Sequence, residues 1–193
     1  MNAYPIVFDV ERPMVMSRAH VFLRLLLVIL LSYVIGADGE LGLIYLGVPI
    51  AASIFIAGMG GERYVAQSGG RMSRWLAIVV GLLAYFAFLT DDLPSDDTSD
   101  RLLIESSGSP TVTSALMRLV RAIPSALVLG LLIIFSAIVG SVIALSILML
   151  GRCPKGCWRF QLGAVRWEAR FLGYLASVVE PYPPFSFDTR SAH

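Results

Sequence analysis

The chain has 193 residues, of which 56% are hydrophobic and 15% charged, and its mean hydropathy is +0.75. Soluble domains are roughly 25% charged, so this composition predicts an integral membrane protein. A net charge of +1, with Lys and Arg spread along the chain, argues against nucleic-acid binding.

The first part of the chain contains an extended segment and two apolar runs. Residues 1–18 include Tyr4–Val10, a β-prone stretch that predicts an extended conformation. Apolar runs at Ala19–Gly36 and Leu41–Gly61, separated by the turn signal Ala37–Glu40, predict a helical hairpin.

A basic loop and a third run complete a first membrane unit, residues 19–90. Gly69 and Gly70 predict a break in any helix of the loop. Trp75–Thr90 is uncharged for 16 residues and predicts a short helix. We favour a helix that spans the membrane, which places the following acidic loop outside; a helix that lies on the surface would place that loop inside.

Residues 91–114 contain six acids and one base, which predicts an acidic aqueous loop. Residues 115–181 are predicted as a second membrane unit. Ile123–Leu150 has 28 residues without a charge, enough to cross a hydrocarbon core of roughly 30 Å. Residues 116–150 are predicted either as one long helix or as a hairpin that turns near Gly130.

The following segment, Trp158–Glu180, has arginines on one helical face and aromatic residues on the other. This pattern predicts an amphipathic helix in the membrane interface. Glu168 falls near its apolar side, which indicates a buried partner such as an arginine. Residues 182–193 form a Pro-rich tail that is predicted to be extended, and the two extended ends of the chain are candidates for pairing.

The two membrane units show a weak internal duplication. Arg24 and Arg118 lie 94 residues apart in similar contexts, and Tyr85 and Tyr174 lie 89 residues apart. We therefore predict two tandem repeats in an all-α, polytopic integral membrane protein with about four transmembrane helices plus the amphipathic helix. Basic residues place the N-terminus and loops 61–74 and 151–160 in the cytoplasm.

The second half resembles a known family. Its motifs are Gly151–Gly156, Val165–Trp167 and the terminal Tyr182–Ser186, and the start of the chain adds Tyr4–Val10. These motifs are similar to those of domain of unknown function 4389, an uncharacterised family of small bacterial membrane proteins. The resemblance implies a bacterial inner membrane location and no established activity. The chain differs at Cys153, where the family usually has an aromatic residue, and at Ala122–Ser125, where a histidine often follows the proline.

Several residues are candidates for lipid or anion contact, because an ionisable group at membrane depth is often functional. The competing interpretation is structural, since arginines near helix ends can reach the surface. Small residues recur every four positions and predict close helix packing, either inside the protein or between two copies. The contact candidates are Arg24, Arg118, Arg159, Arg166 and Arg170, and the packing candidates are Ser136, Gly140 and Ala144.

No motif for a catalytic site, a metal or a cofactor is evident. Cys153 and Cys157 lack the spacing and the additional ligands of a zinc or redox motif. We therefore predict a non-enzymatic accessory or scaffold subunit whose partners are membrane lipids and other membrane subunits or a second copy. The alternative is a small channel or transporter with its pathway between the repeats.

Overall fold

The structure is a computed structural model that describes residues 4–35, 39–94, 101–106 and 108–187. Over these residues it has five long helices, one single-turn helix, a π-helical segment and two short strands. In chain order they are β1 (Ile6–Phe8), α1 (Arg18–Ile35), α2 (Gly39–Met59), α3 (Gly61–Arg63), a π-helical segment (Tyr64–Ser68), α4 (Gly69–Phe86), β2 (Leu102–Ile104), α5 (Val112–Leu150) and α6 (Lys155–Leu175).

Helix α5 is one continuous helix of 39 residues, so the chain does not turn near Gly130. Local signals define both of its ends. Thr111 and Ser114 form a reciprocal capping box at the start, and Gly151 adopts a left-handed conformation, with φ of 68°, at the end. At 1.5 Å per residue the helix is roughly 58 Å long.

The surface of α5 is unusually apolar for a helix of this length. Only 22% of its most apolar 18-residue stretch is buried, whereas the core helix of a soluble protein is mostly buried. Leu127, Leu131, Ile134 and Ile138 are 73%, 60%, 58% and 58% exposed and lie on one face at helical spacing. This helix is long and apolar enough to cross a membrane, which supports association of the protein with a membrane.

The prediction of four membrane-spanning helices is wrong. Among the described residues, α5 alone meets the length and hydropathy of a span, and the described apolar part of α2, Leu46–Met59, is shorter. Helix α4 begins earlier than expected and includes Arg71 and Arg74, which lower its hydropathy. Gly69 and Gly70 are helical residues of α4 rather than helix breakers.

Helices α1 and α2 follow one another along α5 rather than forming the expected helical hairpin. Val21 of α1 packs with Ile143 and Ile147, near the end of α5. Ala52 of α2 packs with Ala115, near its start. The two helices therefore follow α5 in the antiparallel direction, and residues 36–38 of the expected turn lie outside the described residues.

This arrangement separates two basic segments that were predicted to share the cytoplasmic side. Tyr64, which follows Arg63, belongs to the cluster around Ala115 at the start of α5. The segment from Arg152 follows the opposite end of the same helix. If α5 crosses a membrane, its two ends lie on opposite sides, and so do these two basic segments.

Helix α6 is the centre of the core, so its predicted position in the membrane interface is also wrong. Between Gln161 and Val179 only Arg166 is not fully buried. Helices α4 and α5 pack against α6, and β1 packs there as well. The polar side of α6 is thus covered by other segments of the chain instead of lipid headgroups.

A two-stranded sheet corrects the all-α prediction. β1 pairs with β2 in antiparallel register, with Ile6 opposite Ile104 and Phe8 opposite Leu102. The partner strand comes from the predicted acidic loop, not from the C-terminal tail, because β2 offers the apolar run Leu102–Ile104 next to a buried strand. Residues 95–100 of that loop and residues 188–193 of the tail lie outside the described residues.

Candidate functional site: two arginine-clamped helix ends

Helices α4 and α6 both end inside the protein, where the last carbonyl groups of a helix need donors. After each helix the backbone turns at a residue with positive φ, which is Phe88 after α4 and Ser177 after α6, each with φ of 58°. Two amides close each turn by donating to carbonyls of the last helical turn. The longer of the two hydrogen-bonded loops joins the Leu89 amide to the Ala84 carbonyl in α4, and the Val178 amide to the Gly173 carbonyl in α6. This is the hydrogen-bond pattern of a Schellman motif, although glycine usually occupies its left-handed position.

Arg24 of α1 completes the end of α4. Its side chain is 3% exposed, and its Nε donates to the Tyr85 carbonyl at 2.7 Å. Its Nη2 donates to the Thr90 carbonyl at 2.6 Å and to Asp91 at 2.9 Å. The guanidinium also lies 4.3 Å from the centre of the Tyr85 ring and 4.6 Å from that of Phe88.

Arg118 of α5 completes the end of α6 in the same manner. Its side chain is 5% exposed, and Nη1 donates to the carbonyls of Tyr174 and Val179 at 2.6 and 2.7 Å. The guanidinium lies 4.6 Å from the centre of the Tyr174 ring. A cation at the C-terminal end of a helix is also stabilised by the helix dipole.

The two clamps therefore use equivalent groups. In each, an arginine from an early helical turn bonds to the carbonyl of a tyrosine and to a carbonyl five residues further on, and it stacks on that tyrosine ring. The tyrosines are Tyr85 and Tyr174, the pair that the sequence comparison aligned. The matching geometry agrees with a duplication, which stays a prediction.

Further side chains hold the end of α6. The Tyr64 hydroxyl donates to the Ala176 carbonyl at 2.6 Å, and burial raises the pKa of Tyr64 to about 12, so the hydroxyl remains a donor at neutral pH. The Tyr4 hydroxyl donates to the Pro181 carbonyl at 3.0 Å. Ser125 and Tyr182 share a hydrogen bond between their hydroxyls. Sequence patterns did not single out Tyr4 or Tyr64, because each acts on a segment more than 100 residues away.

The other three predicted contact arginines have different surroundings. Arg166 donates to the Phe8 carbonyl at 3.0 Å and pairs with Asp9 at 2.8 Å, which fastens β1 to α6. Arg170 is 2% exposed and donates to the Ser186 carbonyl at 3.1 Å. Arg159 alone of the five is exposed. Four of the candidates thus bond to backbone carbonyls of the protein itself.

The small-residue positions of α5 face the protein interior. Gln161 donates to the Ser136 carbonyl at 2.9 Å. A Cβ atom at Gly140 would lie 3.6 Å from the amide of Gln161 and 3.7 Å from the Phe88 ring. Ala144 packs against the apolar cluster at the end of α5. These positions allow α6 and the end of α4 to approach α5 closely.

Glu168 is a buried carboxyl group in the middle of α6. None of the ion pairs found among the described residues includes it, so the arginine partner that its position suggested is not observed. Burial raises the pKa of Glu168 to about 7. The group can therefore change its protonation state near neutral pH.

The cysteines and the described acids do not form a metal site. No group of three or more potential metal ligands occurs in the part of the chain that the structure describes. Cys153 is buried, which raises the pKa of its thiol to about 11 and keeps it protonated. Asp91 accepts hydrogen bonds from Arg24 and from the Ser17 amide, while Asp92 pairs with Arg101 at 2.7 Å.

Comparison with known proteins gives one match. Residues 113–186 match the family model described as domain of unknown function (DUF4389). Over this segment the chain is similar to the DUF4389 family. No curated protein and no solved structure matches the chain.

The DUF4389 segment contains α5, α6 and the start of the tail. The motifs that carried the resemblance have visible structural roles within it. Trp167 stacks between Phe171 and Phe185, and Tyr182 packs edge-on against Tyr174. In this chain the DUF4389 motif residues therefore fix the tail against α6.

Proposed function

We propose that the protein is a non-catalytic accessory or scaffold subunit of a complex in a bacterial inner membrane. The main support is that buried arginines form hydrogen bonds with the protein's own backbone. Arg24 and Arg118, which the sequence singled out within apolar runs, are buried and donate to backbone carbonyls of the protein itself. Groups engaged in this way stabilise a fold and leave little chemistry for catalysis.

The surface available to a partner is the exposed apolar face of α5, which we define by Leu127, Leu131, Ile134 and Ile138. In a membrane such a face contacts lipid or packs against another helix. Two cavities of about 250 and 300 Å³ flank α5 and are lined almost entirely by apolar side chains, including Phe135 and Leu129. Side chains of a partner helix fit this chemistry, whereas a channel would need polar groups along its pathway.

Photocrosslinking in native membranes tests the proposal. A photoreactive phenylalanine is placed at Leu131 or Ile134 of the exposed face, and at buried Ile143 as the matched control on the same helix. We expect the two exposed positions to yield the same discrete protein adduct and the control to yield none. Lipid adducts alone at the exposed positions, together with a monomer in mild detergent, would contradict a scaffold role.

A further inference from the structure

The tertiary structure assembles a basic surface from two segments that are far apart in the sequence. The Met16 amide donates to the Gly151 carbonyl at 3.1 Å, and Arg12 Nη2 donates to the Cys153 carbonyl at 2.6 Å. Met16 and Cys153 are buried in one apolar cluster, which holds the segments together. The start of α1 is thereby fixed beside the connection between α5 and α6.

This junction carries a high density of positive charge. Glu11 is exposed in the same segment, whereas Asp9 and Asp91 are engaged with Arg166 and Arg24. We define the basic patch by its five bases, of which Arg12 is half-buried and the others exposed: Arg12, Arg18, Arg152, Lys155 and Arg159.

Large apolar side chains project beside these bases. Met14 and Val15 are 90% and 76% exposed, and Met149 and Leu150 are 76% and 68% exposed. Bases combined with exposed apolar side chains are typical of surfaces that lie in the headgroup region, because the two kinds of side chain meet different layers of a membrane.

The patch lies next to the C-terminal end of α5, which agrees with a position among the lipid headgroups. After Arg121 the chain has no charged residue until Arg152, a base of the patch that lies just beyond the end of α5. If the uncharged segment crosses the hydrocarbon core, the patch lies at the depth of the headgroups on one side.

We propose that the basic patch binds the headgroups of anionic lipids and anchors this end of α5 in the interface. This inference rests on the membrane location in the proposed function, but not on the existence of a protein partner. Charge complementarity selects the anionic lipid, since each base near an anionic surface strengthens the attraction roughly fivefold.

Tryptophan quenching by brominated lipids tests the proposal in the full chain. Trp158 is half-buried and lies between Lys155 and Arg159 of the patch, and Trp75 is replaced by Phe to remove an exposed indole elsewhere. The protein is reconstituted in phosphatidylcholine vesicles that contain a minor fraction of brominated phosphatidylglycerol or, separately, brominated phosphatidylcholine.

We expect stronger quenching by the anionic lipid, and we expect this preference to weaken in high salt because charges are screened. Replacing all three of Arg152, Lys155 and Arg159 with Gln should lower the relative association constant by roughly a hundredfold. The charge-preserving control, with R152K, K155R and R159K, should keep the preference.

Four results would overturn the proposal. Equal quenching by the two lipids in the parent protein refutes the patch but leaves the membrane location intact. A preference that survives in the Gln variant, or disappears in the charge-preserving control, shows that these charges are not responsible. Failure of both lipids to quench refutes the membrane location as well.

Discussion

Arg118 provides the most direct test of the clamped helix ends. In Arg118→Leu the carbonyls of Tyr174 and Val179 lose a buried donor, at a cost of about 1–3 kcal/mol each. Loss of the contact with the Tyr174 ring adds about 1 kcal/mol. Removal of a buried charge offsets part of this cost, so we expect a net loss of about 3 kcal/mol in the free energy of unfolding.

Thermal unfolding in detergent measures this change. For a chain of this size a loss of about 3 kcal/mol lowers Tm by roughly 6–12 °C. Arg121→Leu is the matched control, because Arg121 is exposed one turn further along the same helix, and it should change stability by less than about 0.5 kcal/mol. Arg118→Lys should fall between the two. If Arg118→Leu and Arg121→Leu unfold at the same temperature, the clamp contributes nothing to stability.

Three further predictions concern single positions. Ser177→Gly should stabilise the protein by about 1 kcal/mol in thermal unfolding, because it relieves a positive φ of 58° and removes a buried hydroxyl that has no partner among the described residues. Gly61→Ala should destabilise it by about 2 kcal/mol, because the new Cβ would overlap the Pro110 carbonyl. For Glu168, whose pKa rises from 4.5 to about 7 on folding, the wild type should be most stable below pH 4.5 and lose about 3 kcal/mol as the pH rises through 7. Glu168→Gln should abolish that loss in unfolding measured from pH 4 to 8.

Each of these predictions has a control in the same chain. Ser177→Ala removes the hydroxyl but keeps the strained backbone, so a gain equal to that of Ser177→Gly would refute the role of strain. Gly58→Ala adds a Cβ where nothing lies within 4 Å, and equal loss at Gly58 and Gly61 would refute the overlap. Glu62 is exposed, and if Glu62→Gln altered the pH profile as much as Glu168→Gln, burial would not be the cause.

Much of α5 could be predicted from the sequence because its signals are local. The uncharged run and Gly151 indicated a long helix with a defined end, and the structure has both features. The alternative with a turn near Gly130 stayed open, since hydropathy does not show whether a glycine bends the chain. A prediction of four spans followed from treating every apolar run as lipid-exposed, and hydropathy alone cannot distinguish lipid from a protein interior.

The candidate site was predictable only in part. Arg24 and Arg118 stood out because a charge inside an apolar run is unusual, and Tyr85 and Tyr174 appeared as a repeated pair. Their hydrogen bonds were not predictable, because each arginine bonds to carbonyls at least 56 residues away and every residue has a carbonyl. A backbone acceptor leaves no residue-specific signal in a sequence.

By itself the sequence determined the apolar character of the protein, the C-terminal end of its longest helix and the arginines that stand out within apolar surroundings. The tertiary structure decided that α6 is buried, that β2 rather than the tail pairs with β1, and that two distant basic segments form one patch. The reason is physical. Helix ends and apolar runs depend on neighbouring residues, whereas burial and pairing depend on contacts between segments separated by most of the chain.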